Sequence, residues 1–379
     1  MLAISGARVF DGERLLDRHA VLVERGVVAD VVGVDAIPSH AARVEIAGGL
    51  LAPGFVDLQV NGGGGVMLND APTAATMARM VAANRRFGTT ALLPTLITDT
   101  DAVVDAAIAA AAAAVVSVPG VIGLHLEGPH LAPARKGAHR AALMRAMTER
   151  DVDRMIAAKS RAGVLLVTVA VEQAPPVLIR RLADAGVIVS LGHSDAGFDA
   201  ANAAIDAGAR CVTHLFNAMS PLGNREPGLV GAALASGAVA CGIIADGYHV
   251  HPATLRRALA AKQGPGRLFL VTDAMATIGS DIDGFLLGGV PVRRDAGRLT
   301  LSDGTLAGAD TDMAASVRFA VGSLAVSLEE ALRMASLYPA ELVGDGRRGR
   351  IRRGSFADFA HLGDDLTIKQ VWVRGYPAQ

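Results

Sequence analysis

Residues 50–62 read LLAPGFVDLQVNG, an apolar run that ends in polar side chains and a glycine. Runs of strand length recur along the chain, and most are continuously apolar, as expected of parallel strands that are covered on both faces. The predicted strands are Leu50–Leu58, Thr90–Leu93, Val121–Leu126, Val164–Val171, Val187–Leu191, Arg210–Thr213, Val239–Ala245 and Leu268–Thr272. Helical stretches lie between them, for example at 74–86, 148–162, 175–185, 198–207 and 251–261. Eight such strands predict an α/β fold of the (β/α)₈ TIM-barrel type, although a doubly wound open sheet would alternate in the same way.

The two ends of the chain differ from this pattern. Residues 1–49 and 346–379 contain short strand-like segments broken by turns, and neither piece has enough apolar sequence to fold alone. We therefore expect one small discontinuous β-sandwich domain built from both ends, with the barrel spanning 50–345. Residues 281–303 predict a hairpin near the barrel mouth. A final helix is predicted from Ser327 to about Leu337, where Tyr338-Pro339 interrupts the chain.

Composition excludes several classes of protein. Apolar residues make up 51% of the 379 residues and charged residues 19%, which argues against disorder. The net charge of −1 provides no basic field for nucleic acid or an anionic membrane. Cys211 and Cys241 lie in apolar runs and do not form a disulfide framework. The Ala-rich segment 106–118 is too short to span a bilayer, and the N-terminus lacks a signal-peptide core, so we expect a cytoplasmic protein.

Polar residues recur at the carboxyl ends of the predicted strands, which converge on one mouth in a barrel. The third strand ends at Glu127, the fifth is followed by His193 and the sixth by His214. One carboxylate and two imidazoles leave positions open for water and substrate, as in a catalytic zinc site. We therefore predict a metal site at these three residues. Asp273 follows the eighth strand at the same mouth.

Several motifs resemble one known group of enzymes. They are PGFVDLQVNG at 53–62, GLHLEGPHL at 123–131, GHSDAGF at 192–198, THLFNAM at 213–219, NREPGLVG at 224–231, DGYHV at 246–250, VTDAM at 271–275 and GRIRRGSFADF at 349–359. The first resembles the signature of the amidohydrolase superfamily, and the whole set is similar to its N-acetylglucosamine-6-phosphate deacetylase family. The resemblance implies hydrolysis of N-acetyl-D-glucosamine 6-phosphate to D-glucosamine 6-phosphate and acetate in amino-sugar catabolism.

Gln59 and Asn61 stand where most of this superfamily carries His-x-His on the first strand. That pair of histidines binds a second metal, and amides are poorer ligands than imidazole for ions such as zinc. We therefore predict one divalent ion per subunit, with zinc expected first and iron, cobalt or manganese as alternatives. Gln59 and Asn61 would instead orient water or the adjacent loop.

The chemistry follows from these residues. A divalent ion at Glu127, His193 and His214 would polarise the acetyl carbonyl and lower the pKa of a water molecule. Asp273 would take a proton from that water and deliver it to the departing amine. The resemblance implies that His139 contacts the acetyl carbonyl.

The resemblance also implies a set of substrate contacts. They are Ala138, His139, Asn217, Ala218, Arg225, Asp246, His249, Leu306, Ala307 and Gly308. Arginine suits phosphate because its planar group donates two parallel hydrogen bonds. Family members use an arginine at the position of Arg225 to reach the neighbouring subunit's site, which implies a homodimer. From the sequence alone, an ordinary surface ion pair between Arg225 and Glu226 is the alternative.

Other functions stay open at this point. A deacetylase for N-acetylgalactosamine 6-phosphate differs by the orientation of one hydroxyl group, and the motifs do not exclude it. A D-aminoacylase or a cyclic-amide hydrolase would share the barrel and the metal site. A non-catalytic relative would be favoured if a ligand or Asp273 were missing, and all four residues are present.

Overall fold

The computed structural model describes residues 1–378. Its largest sheet contains eight parallel strands that follow one another in chain order. They are Phe55–Val60, Thr89–Ile97, Gly123–Glu127, Val164–Val169, Ile188–Leu191, Cys211–Val212, Ala240–Ile244 and Leu268–Val271. A parallel bridge between Val60 and Ala274 joins the two ends of the sheet. The predicted TIM barrel is confirmed.

Helices cover the outside of this barrel. They are Ala74–Arg85, Asp101–Ser117, Glu149–Lys159, Pro176–Asp184, Phe198–Asp206, Gly228–Ala235, Pro252–Ala261, Met313–Leu324, Leu328–Ala335 and Leu337–Leu342. Several begin at a residue that supplies a hydrogen-bond acceptor to the free N–H groups of the first turn. Thr148 and Asp151 form a reciprocal capping box at the start of the third helix. None of the helices in residues 1–378 is both long and apolar enough to cross a membrane.

Both chain ends meet in two small mixed sheets, which confirms the predicted sandwich. The first sheet contains Val27–Gly33, His19–Glu24, Leu2–Ser5 and Ala42–Glu45 in that spatial order. The second contains Tyr376–Ala378, Ile368–Val373, Phe359–Leu362, Leu50–Pro53, Arg8–Phe10 and Leu15–Leu16. Ile4, Val21, Leu51, Phe359 and Trp372 are buried together in one apolar cluster between them.

The predicted strand Leu50–Leu58 is wrong as a single element. Leu50–Pro53 pairs with Arg8–Phe10 and Phe359–Leu362 in the sandwich, and only Phe55–Val60 enters the barrel. The break follows from local chemistry. Pro53 has no N–H for a ladder, and the N–H of Gly54 donates to the carbonyl of Asp358. The division at residues 49/50 and 345/346 stays a proposal, and residues 50–53 pair with the sandwich.

A four-stranded antiparallel sheet follows the eighth barrel strand, where a hairpin was predicted. Its strands are Gly284–Leu287, Val290–Asp295, Arg298–Thr300 and Leu306–Ala309. The predicted interruption at Tyr338-Pro339 is wrong, because both residues lie inside helix Leu337–Leu342. Pro339 is tolerated there because N–H groups in the first helical turn have no acceptor within the helix.

Candidate active site

The carboxyl ends of four barrel strands place acidic and imidazole side chains at one mouth. Glu127 is the last residue of its strand, whereas His193, His214 and Asp273 follow theirs with φ of 48°, 28° and 53°. Residues other than glycine rarely adopt this left-handed conformation, and when they do the site is often functional. The backbone thus turns sharply where each of these three side chains leaves the sheet.

Three donor atoms meet at one point of this mouth. The Nε2 atoms of His193 and His214 lie 3.2 Å and 3.0 Å from Oε1 of Glu127, and 3.1 Å from each other. Nδ1 of His193 donates to the carbonyl of Arg135 at 2.7 Å, since a carbonyl can only accept. This bond leaves the lone pair of His193 on Nε2, the usual arrangement of a metal-binding histidine. The donor set therefore fits a divalent ion.

His139 lies beside these residues and forms a second possible ligand group with Glu127 and His193. Its Nε2 atom is 3.9 Å from Oε2 of Glu127, farther than the Nε2 atom of His214 is from Oε1. Nδ1 of His139 lies 2.9 Å from the hydroxyl of Thr98 and 3.4 Å from its backbone N–H, and when both groups donate to Nδ1 the ring proton lies on Nε2. In that tautomer His139 can donate a hydrogen bond from Nε2, and the shorter distance to Glu127 makes His214 the better third ligand.

Asp273 is held by two amide side chains. Nδ2 of Asn61 donates to its Oδ1 at 2.6 Å, and Nε2 of Gln59 donates to the same oxygen at 3.1 Å. Gln59 also donates to both carboxylate oxygens of Glu127 at 3.2 Å. The two amides thus connect the predicted base with the predicted carboxylate ligand.

Burial and neighbouring charges set the protonation of the site. Burial raises the pKa of Asp273 to about 6, and the charge of Glu127 adds to the effect. Burial also favours neutral Glu127, but the adjacent imidazole groups of His193 and His214 outweigh it and hold the pKa of Glu127 well below its usual range. Burial and the charge of His193 lower the pKa of His139 to about 3. The imidazole of His139 is therefore neutral.

A cavity of about 370 Å³ opens above these groups. Of the predicted site residues, the cavity is lined by Glu127, Ala138, His139, His193, His214, Asn217, Ala218, His249, Asp273, Leu306 and Gly308. Asp246 lies behind His249 and accepts a hydrogen bond from its Nδ1 at 2.6 Å. Ala307 does not line the cavity and is buried in an apolar cluster that includes Met67, Val292 and Leu299.

Arg225 also lies outside the cavity, in an exposed loop. The alternative ion pair with Glu226 is not formed. The carboxylate of Glu226 accepts hydrogen bonds from the backbone N–H groups of Phe198 and Gly228 instead. Within residues 1–378, the side chain of Arg225 makes neither a hydrogen bond nor an ion pair.

The sequence did not indicate several residues that shape the site. Arg135 lines the cavity, orients His193 through its carbonyl and pairs with Asp195 at 2.7 Å. Leu287 reaches the cavity from the antiparallel sheet. A basic loop at 135–140 beside His139 was the available signal for Arg135, whereas nothing in the pattern of residues 284–287 indicates a cavity wall.

Comparisons with known proteins agree with this geometry. The model of the amidohydrolase family matches residues 50–377, and that of the NagA composite domain matches residues 1–51. An N-acetylgalactosamine-6-phosphate deacetylase from Shewanella sp. (strain ANA-3) is 43% identical, over 99% of this chain and 95% of its own length. An N-acetylglucosamine-6-phosphate deacetylase from Haemophilus influenzae is 35% identical, over 95% of each chain.

A solved structure shows the same architecture. The N-acetylglucosamine-6-phosphate deacetylase from Pasteurella multocida superposes with a TM-score of 0.95 at 34% identity, over 100% of this chain and 99% of its own. Because the family model covers most of the sequence and the relatives align over nearly the full length, the chain belongs to the amidohydrolase family.

Proposed function

We propose that this enzyme hydrolyses the acetamido group of an N-acetylhexosamine 6-phosphate, releasing acetate and the free amino sugar phosphate. The observation that carries the proposal is Asp273 beside the convergent Glu127, His193 and His214, at the base of a cavity of about 370 Å³. The relatives at 35–43% identity are named as deacetylases of such sugar phosphates, which supports the substrate class.

One divalent ion per subunit is part of the proposal, held by Glu127, His193 and His214. When bound, it supplies Lewis acidity for the amide carbonyl and lowers the pKa of water. Gln59 contacts Glu127 and Asp273, and Asn61 contacts Asp273, through neutral amides, which favours a single ion. Zinc is the first candidate, and iron, cobalt and manganese suit the same donors.

The reaction divides between two side chains of this chain. Asp273 takes a proton from the attacking water as the oxygen of that water bonds to the acetyl carbon. His139 donates a hydrogen bond from Nε2 to the carbonyl oxygen, where negative charge develops. Asp273 then returns its proton to the nitrogen as the carbon–nitrogen bond breaks, so that acetate and an amine leave. The raised pKa of Asp273 suits a group that must both accept and return a proton.

The upper cavity wall would hold the sugar. Ala138, Asn217, Ala218, Leu306 and Gly308 line it, with Ala307 next to them in the chain. His249, fixed by Asp246, would reach the phosphate.

A homodimer would complete the phosphate site. Arg135 is the one guanidinium among the described residues that line the cavity, and Asp195 pairs with it. A bound phosphate would therefore lack an unpaired guanidinium from its own subunit. The exposed Arg225 of a second subunit supplies one in this proposal. We place the reaction in the cytoplasm, where a phosphorylated sugar would be retained because its charge keeps it from crossing a bilayer.

Two epimeric sugar phosphates are candidate substrates for this function. N-acetylglucosamine 6-phosphate is the substrate expected from the sequence motifs. N-acetylgalactosamine 6-phosphate is the alternative, and it is favoured by the relative from Shewanella, which is 43% identical to this chain. The two sugars differ only in the orientation of one hydroxyl group.

Acetate release from the purified, metal-loaded enzyme tests the proposal. We expect turnover of at least one of the two N-acetylhexosamine 6-phosphates, and a much lower kcat/KM for unphosphorylated N-acetylglucosamine. Asp273→Asn should reduce kcat by about 10²- to 10⁴-fold with unchanged metal content. Equal rates with and without phosphate would refute the phosphate contacts, and an active Asp273→Asn variant would refute the role of the base.

A further inference from the structure

Gln59 and Asn61, here called the amide pair, donate hydrogen bonds to only one of the two oxygens of the Asp273 carboxylate. Both side chains donate to Oδ1, at 3.1 Å and 2.6 Å. Within residues 1–378, no hydrogen bond reaches Oδ2 of Asp273. The amide pair is almost completely buried, with exposed fractions of 2% and 1%. One oxygen of the predicted base is thus occupied by two donors, and the other is left for a ligand.

Repulsion between carboxylates explains why uncharged hydrogen-bond donors suit the position between Glu127 and Asp273. Glu127 and Asp273 are two buried carboxyl groups that repel each other when both are ionised. Nε2 of Gln59 carries two hydrogens and contacts both carboxylates, at 3.2 Å and 3.1 Å. It can therefore hold the two groups at a fixed separation without adding a charge that would compete with an ion for Glu127.

The backbone gives the amide pair a fixed position relative to Asp273. Gln59 lies in strand Phe55–Val60 and Asn61 follows it directly, and both side chains reach Oδ1 of Asp273. The N–H of Asp273 donates to the carbonyl of Gln59 at 3.0 Å, and the N–H of Asn61 donates to the carbonyl of Ala274 at 2.8 Å. The contacts that close the barrel thus align the donors with their acceptor.

We propose that Gln59 and Asn61 are positioning residues that hold Oδ1 of Asp273 and leave Oδ2 to exchange the proton with the water and the departing amine. This inference rests on the proposed function of Asp273. It assigns the amide pair a role in catalysis rather than in holding the ion. Loss of a donor would let the carboxylate rotate, and a displacement of about 1 Å in a reacting group costs on the order of 10²-fold in rate.

The test uses steady-state kinetics and metal analysis of the whole metal-loaded enzyme. Gln59→Met keeps the length of the side chain and removes its donors, and Asn61→Leu does the same for the second amide. We expect kcat to fall by about 10- to 100-fold in each variant, with KM within about twofold and one ion per chain. Gln370→Met is the matched control, since Gln370 donates only to backbone carbonyls in the sandwich. It should keep the wild-type kcat.

A substrate-independent measurement separates this inference from the proposed function. Crystal structures of the metal-loaded wild type, Gln59→Met and Gln59→Leu should show the Asp273 carboxylate rotated in both variants. Gln59→Leu also removes both N–H donors without adding a charge, so it serves if the methionine variant does not fold. The inference would be overturned if the variants kept the wild-type kcat or if their kcat fell only in proportion to the metal they lost. It would also be overturned if the Asp273 carboxylate did not move in their crystal structures. A wild type inactive on both sugar phosphates would contradict the proposed function, and the crystal structures would still decide the inference.

Discussion

Asp57 is a fully buried carboxyl in the first barrel strand, below the site. It accepts hydrogen bonds from Oγ1 of Thr272 at 2.5 Å and from the backbone N–H groups of Thr272 and Gln59. Burial outweighs these bonds and raises the pKa of Asp57 to about 7. The folded protein therefore retains a proton on Asp57 at pH values where the unfolded chain has lost it.

The sign of the effect on stability follows from this difference. Between pH 4 and 7 the folded state binds more protons at Asp57 than the unfolded state, so this group makes stability fall as the pH rises. Asp57→Asn removes the titration, and Oγ1 of Thr272 can turn to pair with the new amide. We expect the melting temperature of the variant, relative to wild type, to rise from pH 4 to pH 7. Scanning calorimetry checks this, with the exposed Asp364→Asn as control, and parallel curves for Asp57→Asn and wild type would contradict it.

The convergence of side chains at the mouth was predictable where those side chains stand at strand ends. Glu127, His193 and His214 follow that rule, and the structure brings their donor atoms within 3.2 Å of one another. Arg135 was not predictable, because it acts on His193 through its backbone carbonyl, which any residue carries. The hydrogen bonds of Gln59 to two carboxylates depend on distances across the barrel that no local pattern encodes.

The antiparallel sheet at 284–309 is the element that forms one wall of the cavity. It supplies Leu287 and Leu306, and the loop between its last two strands supplies Thr305. Tyr248, which follows the seventh barrel strand, donates from its hydroxyl to the carbonyl of Ala296 at 2.8 Å. One side-chain hydrogen bond thus ties this sheet to the barrel mouth.

Tyr248→Phe should loosen that connection while keeping the ring. A hydrogen bond of this kind contributes about 0.5–1.5 kcal/mol, so we expect KM for the sugar phosphate to rise by about 2- to 10-fold with little change in kcat. Steady-state kinetics measure this, and Tyr376→Phe in the sandwich is the matched control. An unchanged KM in Tyr248→Phe, or an equal rise in the control, would show that the contact does not shape the cavity.

Elements were predictable where periodicity and caps agree. Helix Glu149–Lys159 begins at Thr148 with a capping box, as the predicted helix 148–162 implies. Helix Gly228–Ala235 was not predicted, since it is short and apolar on every side and therefore has no polar face to mark a period. The interruption predicted at Pro339 was wrong because proline usually ends a helix but is tolerated within its first turn, where Pro339 lies.

For the whole molecule, alternation of strands and helices predicted the barrel but not its closure. Closure depends on contacts between residues more than 200 positions apart, such as the bridge of Val60 with Ala274. A doubly wound sheet would have the same local pattern. The small sandwich was predictable in outline, because neither chain end could bury its apolar residues alone.

The proposed homodimer gives the last prediction, since Arg225 and Asp273 of one site would come from different subunits. Arg225→Ala alone should lower kcat/KM by about 10- to 150-fold, the worth of a lost charge-assisted bond to phosphate. Two differently tagged chains can be co-expressed and the mixed dimer purified through both tags. When one chain carries Arg225→Ala and the other Asp273→Asn, one of the two sites keeps both residues, and we expect about half the wild-type activity.

The control places both substitutions in one chain and leaves its partner unchanged. The unchanged chain then keeps Asp273 but receives no guanidinium from its partner, and the doubly substituted chain has no base, so this dimer should be nearly inactive. If Arg225 instead served the site of its own subunit, the two results would exchange. The dimer with separate substitutions would be inactive, and the dimer with both in one chain would retain half the activity. Measuring the two mixed dimers side by side therefore decides whether the phosphate site is built from one subunit or from two.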